Sequence, residues 1–106
     1  ILVRRKVTLT ITGAMPSVGE FVRLRVGVEP ECKRFFPSEV LKLRQRRKGE
    51  FVRVAATKPN ANCVAAFRIR VARDAVFQGF APAGTPGGLG IYYLAGSSTP
   101  ERIEVE

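Results

Sequence analysis

Among the side chains able to do chemistry, arginine is the commonest: thirteen Arg stand beside five Lys. The formal net charge is +9. Such an excess suits an anionic partner: nucleic acid, an acidic cell-wall polymer or a membrane surface. The alternative is a basic surface that only keeps the chain soluble. His is absent. Its absence removes the commonest general base and any Ser-His or Cys-His nucleophile arrangement, together with His-based zinc sites. Glu20, Glu29, Glu39, Glu50 and Asp74 are scattered over turns and strand ends, with no pair spaced for acid/base work. The chain is therefore expected not to be an enzyme, and to need no cofactor and no metal. Cys32 and Cys63 lack the Cys-x-x-Cys spacing of a metal or redox motif. They are expected to be a disulfide or two buried thiols.

Those side chains must be positioned by strands. Alternation with period two dominates the chain. In Val7–Thr12 the apolar Val7, Leu9 and Ile11 alternate with Thr, and in Phe21–Val28 the even positions are apolar. Further strands are read over Val40–Arg46, Phe51–Ala56, Val64–Val71, Ala75–Ala81 and Arg102–Val105. Turns are read at Pro16–Gly19, Lys48-Gly49 and Lys58–Asn62, and an irregular connection over Glu31–Ser38. Pro82–Pro100, rich in Gly, is either an extra short strand at Ile91–Leu94 or a loop across one end. No segment has the 3.6-residue period of a helix, and no apolar run approaches the roughly 20 residues that span a bilayer. The expected fold is all-β: one domain over residues 1–106, an antiparallel two-sheet sandwich of about seven strands. The chain opens on Ile1 and reads as a mature or excised fragment.

Parity then gathers a candidate site. If Val22, Leu24 and Val26 point inward, Arg23 and Arg25 point out. If Phe67 and Ile69 point inward, Arg68 and Arg70 point out. Should the two strands be neighbours, Arg23, Arg25, Arg68 and Arg70 share one outer face, with Lys6, Thr8 and Thr10 on the strand beside them. Like charges opposite one another are unfavourable, softened where Arg stems lie along the sheet. The second sheet is expected to carry Lys42, Arg44 and Arg46 outward. Tyr93 is a candidate stacking platform, and Phe21, Phe51, Phe67 and Phe77 read as core or strand-end residues.

The sequence resembles bacterial immunoglobulin-like domains over nearly its whole length. Val18-Gly19-Glu20 matches the family's turn, and Val40, Lys42, Leu43 and Arg46 lie close to its third-strand pattern. Phe51, Val54 and Ala55 fit the fourth strand, and Asn62, Ala66 and Phe67 the fifth. Cys63 departs from the pattern, standing where the family has Gly. Such domains serve as spacers and adhesion modules of secreted or surface proteins, so the resemblance implies an immunoglobulin-like fold and a non-catalytic structural or adhesive role. Two alternatives stand beside it. One is an anion-binding module for acidic polysaccharide, cell-wall polymer or nucleic acid; the other is a filament or capsid subunit assembling by strand addition. In the family's arrangement the second strand pairs with the fifth, so Cys32 and Cys63 would meet at one end of the sandwich. A bridge there implies an oxidising, extracellular setting, hence a secreted or cell-surface location.

Overall fold

A strand buries one face when alternate side chains are apolar, and this chain repeats that pattern along most of its length. The computed structural model describes residues 2–12, 16–29, 40–60, 62–83 and 92–105. These form ten strands: β1 (Leu2–Arg4), β2 (Lys6–Thr12), β3 (Phe21–Glu29), β4 (Leu41–Arg47), β5 (Glu50–Thr57), β6 (Val64–Arg70), β7 (Ala75–Ala81), β8 (Tyr92–Leu94), β9 (Gly96–Ser97) and β10 (Glu101–Ile103). No helix occurs among the described residues. The all-β architecture with antiparallel sheets is as the alternation predicts.

One sheet has the order β2-β3-β6, antiparallel throughout. The second runs β10-β7-β4-β5, with β9 also paired to β7, again antiparallel. The strand count exceeds the expected seven because β1, β8 and β9 are too short to register as alternation. β1 and β8 pair in parallel, Val3 opposite Tyr93, an exception to the antiparallel expectation. The short strand at residues 92–94 answers half of the question about the Gly-rich segment; residues 84–91 lie outside the described residues, as does the expected connection at 31–38.

The inner faces of the two sheets close on a single core. Leu24 and Val26 of β3 face Leu41 and Leu43 of β4 and Phe77 of β7, all fully buried. Each such side chain contributes about 1.5–3 kcal/mol on leaving water. The sheets approach closely at Gly79, where a Cβ would meet Val26 Cγ1 at 2.9 Å and Val7 Cγ1 at 3.3 Å. Beside it, Ser98 clamps the backbone: Gly79 N donates to Ser98 Oγ at 2.8 Å, and Ser98 N donates to Gly79 O at 2.9 Å.

Two local features fix register. Lys48 and Gly49 both have positive φ, 51° and 83°, so the β4–β5 hairpin turns through the left-handed pair that matches strand twist. Further along, Leu43 faces Ala55 while Arg44 faces Arg53, which leaves Val54 as an extra residue in β5. That bulge lets β4 keep Leu41 and Leu43 inward while β5 bends.

Candidate anion-binding face

Each strand of the β2-β3-β6 sheet sends alternate residues outward, and the register decides which meet. Arg23 of β3 lies directly opposite Arg68 of β6, Arg25 opposite Ala66 and Phe21 opposite Arg70. On the other flank Thr12 faces Arg23 and Thr10 faces Arg25. All four arginines are exposed. Between Arg23, Arg25 and Arg68, the small Ala66 leaves a hollow of about 270 Å³ floored by Leu24 and Phe67. The structure thus brings together the four arginines that parity selects.

No ion pair reaches these four among the described residues; the pairs present there join Arg102 to Asp74 and Glu104. Glu29 sits at the far end of β3, opposite Lys6. The face is held instead by an aromatic ring. Arg68 lies 4.1 Å and Arg70 4.9 Å from the centroid of Phe21, the range in which a ring face attracts a cation. Phe21 opens β3 and is 47% exposed, so of the two expected readings it is the strand-end residue and not a core one. The signal was in the parity: if Val22 points inward, Phe21 points out with Arg23. Tyr93, a candidate stacking platform, is instead buried.

Arg5, which is not among the expected site residues, is buried. Its guanidinium donates through Nη1 to Pro82 O and lies 5.1 Å from the Tyr93 ring centroid. Arg5 shares the parity of Val7, Leu9 and Ile11, so the alternation had placed it inward. The second sheet carries its own cation–ring stacks, with Arg44 3.6 Å from Phe80 and Arg46 5.1 Å from Phe51.

The sulfur chemistry gathers at the turn into β6. Asn60 Oδ1 accepts from Asn62 N at 2.8 Å and Val64 N at 3.1 Å, and Cys63 N donates to Asn60 O at 3.0 Å. This turn sets Cys63 at φ 63°, the conformation a glycine adopts most readily. Cys63 O accepts from Val28 N at 3.1 Å, so the cysteine lies beside the end of β3. Cys63 is disulfide-bonded. Cys32, its expected partner, lies outside the described residues.

Asp74 ties two distant parts of the chain together. Its carboxylate accepts from Val105 N at 2.8 Å and Arg102 Nη2 at 3.0 Å, tying the chain after β10 to the start of β7. The Val105 N–H and then the Arg102 guanidinium hold its pKa below the usual carboxylate value.

The fold and face thus define an all-β protein of mainly antiparallel sheets with an arginine-rich outer surface. No protein-family model and no curated protein sequence matches the chain. Among solved structures, the fold is similar to that of a superoxide reductase (neelaredoxin) from Ignicoccus hospitalis. The TM-score is 0.61 at 15% identity, over 93% of this chain and 80% of that one.

That likeness corrects several expectations. The chain is not assigned to the bacterial immunoglobulin-like domains, because the solved structure its fold is similar to is a superoxide reductase. The motifs behind the resemblance encode tight turns and inward faces, which any pair of facing antiparallel sheets requires. The non-catalytic spacer or adhesion role rested on that family and falls with it, and the separate expectation of a filament or capsid subunit is set aside on the same likeness. The expectation that the chain is not an enzyme falls too, since a fold of this kind houses one. At 15% identity the likeness carries the fold alone.

Proposed function

We propose that the outer face of the β2-β3-β6 sheet binds an acidic polymer, with Arg23, Arg25, Arg68 and Arg70 as the residues that hold its anionic groups. One observation carries this reading: Arg23 and Arg68 face each other in register, exposed, with no carboxylate between them. Two like charges directly opposite destabilise a sheet, and an anion bridging them reverses that cost. Guanidinium forks suit carboxylate, sulfate and phosphate oxygens, and the hollow over Ala66 gives such a group a place between three of the forks. Acidic polysaccharide or cell-wall polymer fits better than nucleic acid. Base recognition on single strands uses open aromatic platforms, and Phe21 already carries two guanidinium groups.

The test is a salt titration of binding to a sulfated polysaccharide, with single-stranded DNA as the comparison arm. Binding should fall steeply with salt and vanish when Arg23, Arg25, Arg68 and Arg70 are all changed to Ser. Absence of binding to either polymer at low salt ends the proposal; equal binding to DNA moves the partner to nucleic acid.

The same reading includes a Cys32–Cys63 bridge and an oxidising, exported location. Two facts support it: the chain has two cysteines, and one of them is disulfide-bonded. The redox activity in the name of the similar structure is not carried over. Superoxide reduction needs an electron source, and the side chains that hold redox metals are imidazole, thiolate and carboxylate. This chain has no His, Cys63 is committed to a disulfide, and no three such donors cluster among the described residues. That donor set does not fit a metal centre.

A further inference from the structure

At the end of the second sheet, β10, β7 and β4 run side by side. Arg102 lies opposite Val76, and Gln45 opposite Phe77. The turn end of the β4–β5 hairpin and the chain entering β7 flank a hollow there of about 640 Å³. Arg46, Arg47, Lys48, Arg73 and Arg102 line it, and Asp74 is the one carboxylate among the lining residues. Asp74 is already committed to Val105 N and Arg102, and Arg102 also reaches Glu104 at 3.7 Å. Arg47 has only a 3.5 Å contact with Gln45, and Arg73 and Lys48 have no acidic partner among the described residues.

We infer that this hollow is a binding site for a small ligand bearing two or more linked phosphoryl groups. The size of the hollow lies within the range of small-molecule sites, about 300–1,000 Å³, but its lining is too cationic for an apolar ligand. Magnitudes decide how many charges the ligand carries. A single exposed ion pair adds little, a few tenths to about one kcal/mol, so a lone phosphate on one arginine does not hold. Several guanidinium forks around one cavity hold a ligand whose charges are spaced along a chain. Linked phosphoryl groups present such charges and accept bidentate bonds from Arg. The hairpin supports this: Lys48 stands at a positive-φ position where Gly or Asn is favoured, and so places a cation at the rim against local backbone preference.

The experiment titrates the full chain with inorganic tripolyphosphate, following backbone amide shifts by NMR, with orthophosphate in parallel. Saturable binding is expected, with shifts centred on Arg46–Lys48 and Arg73–Val76 and an affinity at least about tenfold above that for orthophosphate. The R47Q/R73Q double variant should lose about tenfold or more, while K58Q, which removes an exposed charge beyond the far end of β5, keeps the wild-type affinity. Failure to saturate at low salt overturns the inference. So does a shift map centred on β3 and β6, or loss of affinity in K58Q. The wild-type map decides the matter even if R47Q/R73Q folds poorly.

Discussion

Cys63 occupies a backbone conformation that costs an L-residue about 1–2 kcal/mol, and it is also disulfide-bonded. The two effects separate by mutation. With both cysteines changed to Ser, the proposed Cys32–Cys63 bridge and its closed loop of about 30 residues are lost, a change of roughly 3–4 kcal/mol. Replacing Cys63 by Gly in the Cys32→Ser background should recover about 1 kcal/mol of that, because Gly accepts positive φ without strain. Urea unfolding of the two variants measures the difference; equal midpoints would remove strain from the account. The departure from Gly at this position was visible in the sequence, but its meaning needed the φ angle. Asp74 makes a second residue-scale case. Its pKa is depressed in the folded state, first by the Val105 N–H and then by Arg102. The carboxylate therefore contributes above its unfolded pKa, and that contribution is lost as pH falls through the folded value. Protection of the Val105 amide, taken relative to its intrinsic exchange rate, should fall in that acid window, and Asp74→Asn should abolish that loss of protection.

Among the elements, β7 ran over the predicted Ala75–Ala81, and β3 and β6 alternated so regularly that their outward arginines could be named before any pairing was known. Parity needs only local sequence, whereas pairing needs the tertiary context. The parallel β1–β8 contact and the two-residue β9 carry no periodic signal at all, since three residues cannot alternate legibly. The basic hollow at the end of the second sheet was illegible for the same reason: its cations come from a hairpin, a bend and β10. The hairpin itself allows a direct check. Lys48→Asn keeps the left-handed turn with a residue that tolerates it better, and should raise stability by about 0.5–1 kcal/mol while weakening tripolyphosphate binding. At the sheet contact, Gly79→Ala should cost about 1–3 kcal/mol by overpacking, because its new methyl meets Val26 and Val7. Thermal melts of the two variants should therefore move in opposite directions.

Over the whole molecule, a charge of +9 makes salt act in two opposed ways. Within the folded protein, Arg23 repels Arg68 across the β3–β6 pair, and added salt screens that repulsion once the Debye length falls to about 10 Å, near 0.1 M. The melting temperature should therefore rise as salt is added. Binding of a polyanion goes the other way, because each neutralised anionic group releases counterions. With four arginine contacts, affinity for single-stranded DNA should drop by roughly 50-fold between about 50 and about 200 mM salt. Changing Arg23, Arg25, Arg68 and Arg70 to Ser should flatten both curves together, since one set of charges causes both. The Phe21 stack limits the gain in stability, because the variant also loses the cation–ring contacts of Arg68 and Arg70. Calorimetry across a salt series, paired with binding measurements on the same variants, reads both slopes. If stability flattens and binding does not, the polymer is held elsewhere, and the basic hollow beside Arg73 is where the next substitutions belong.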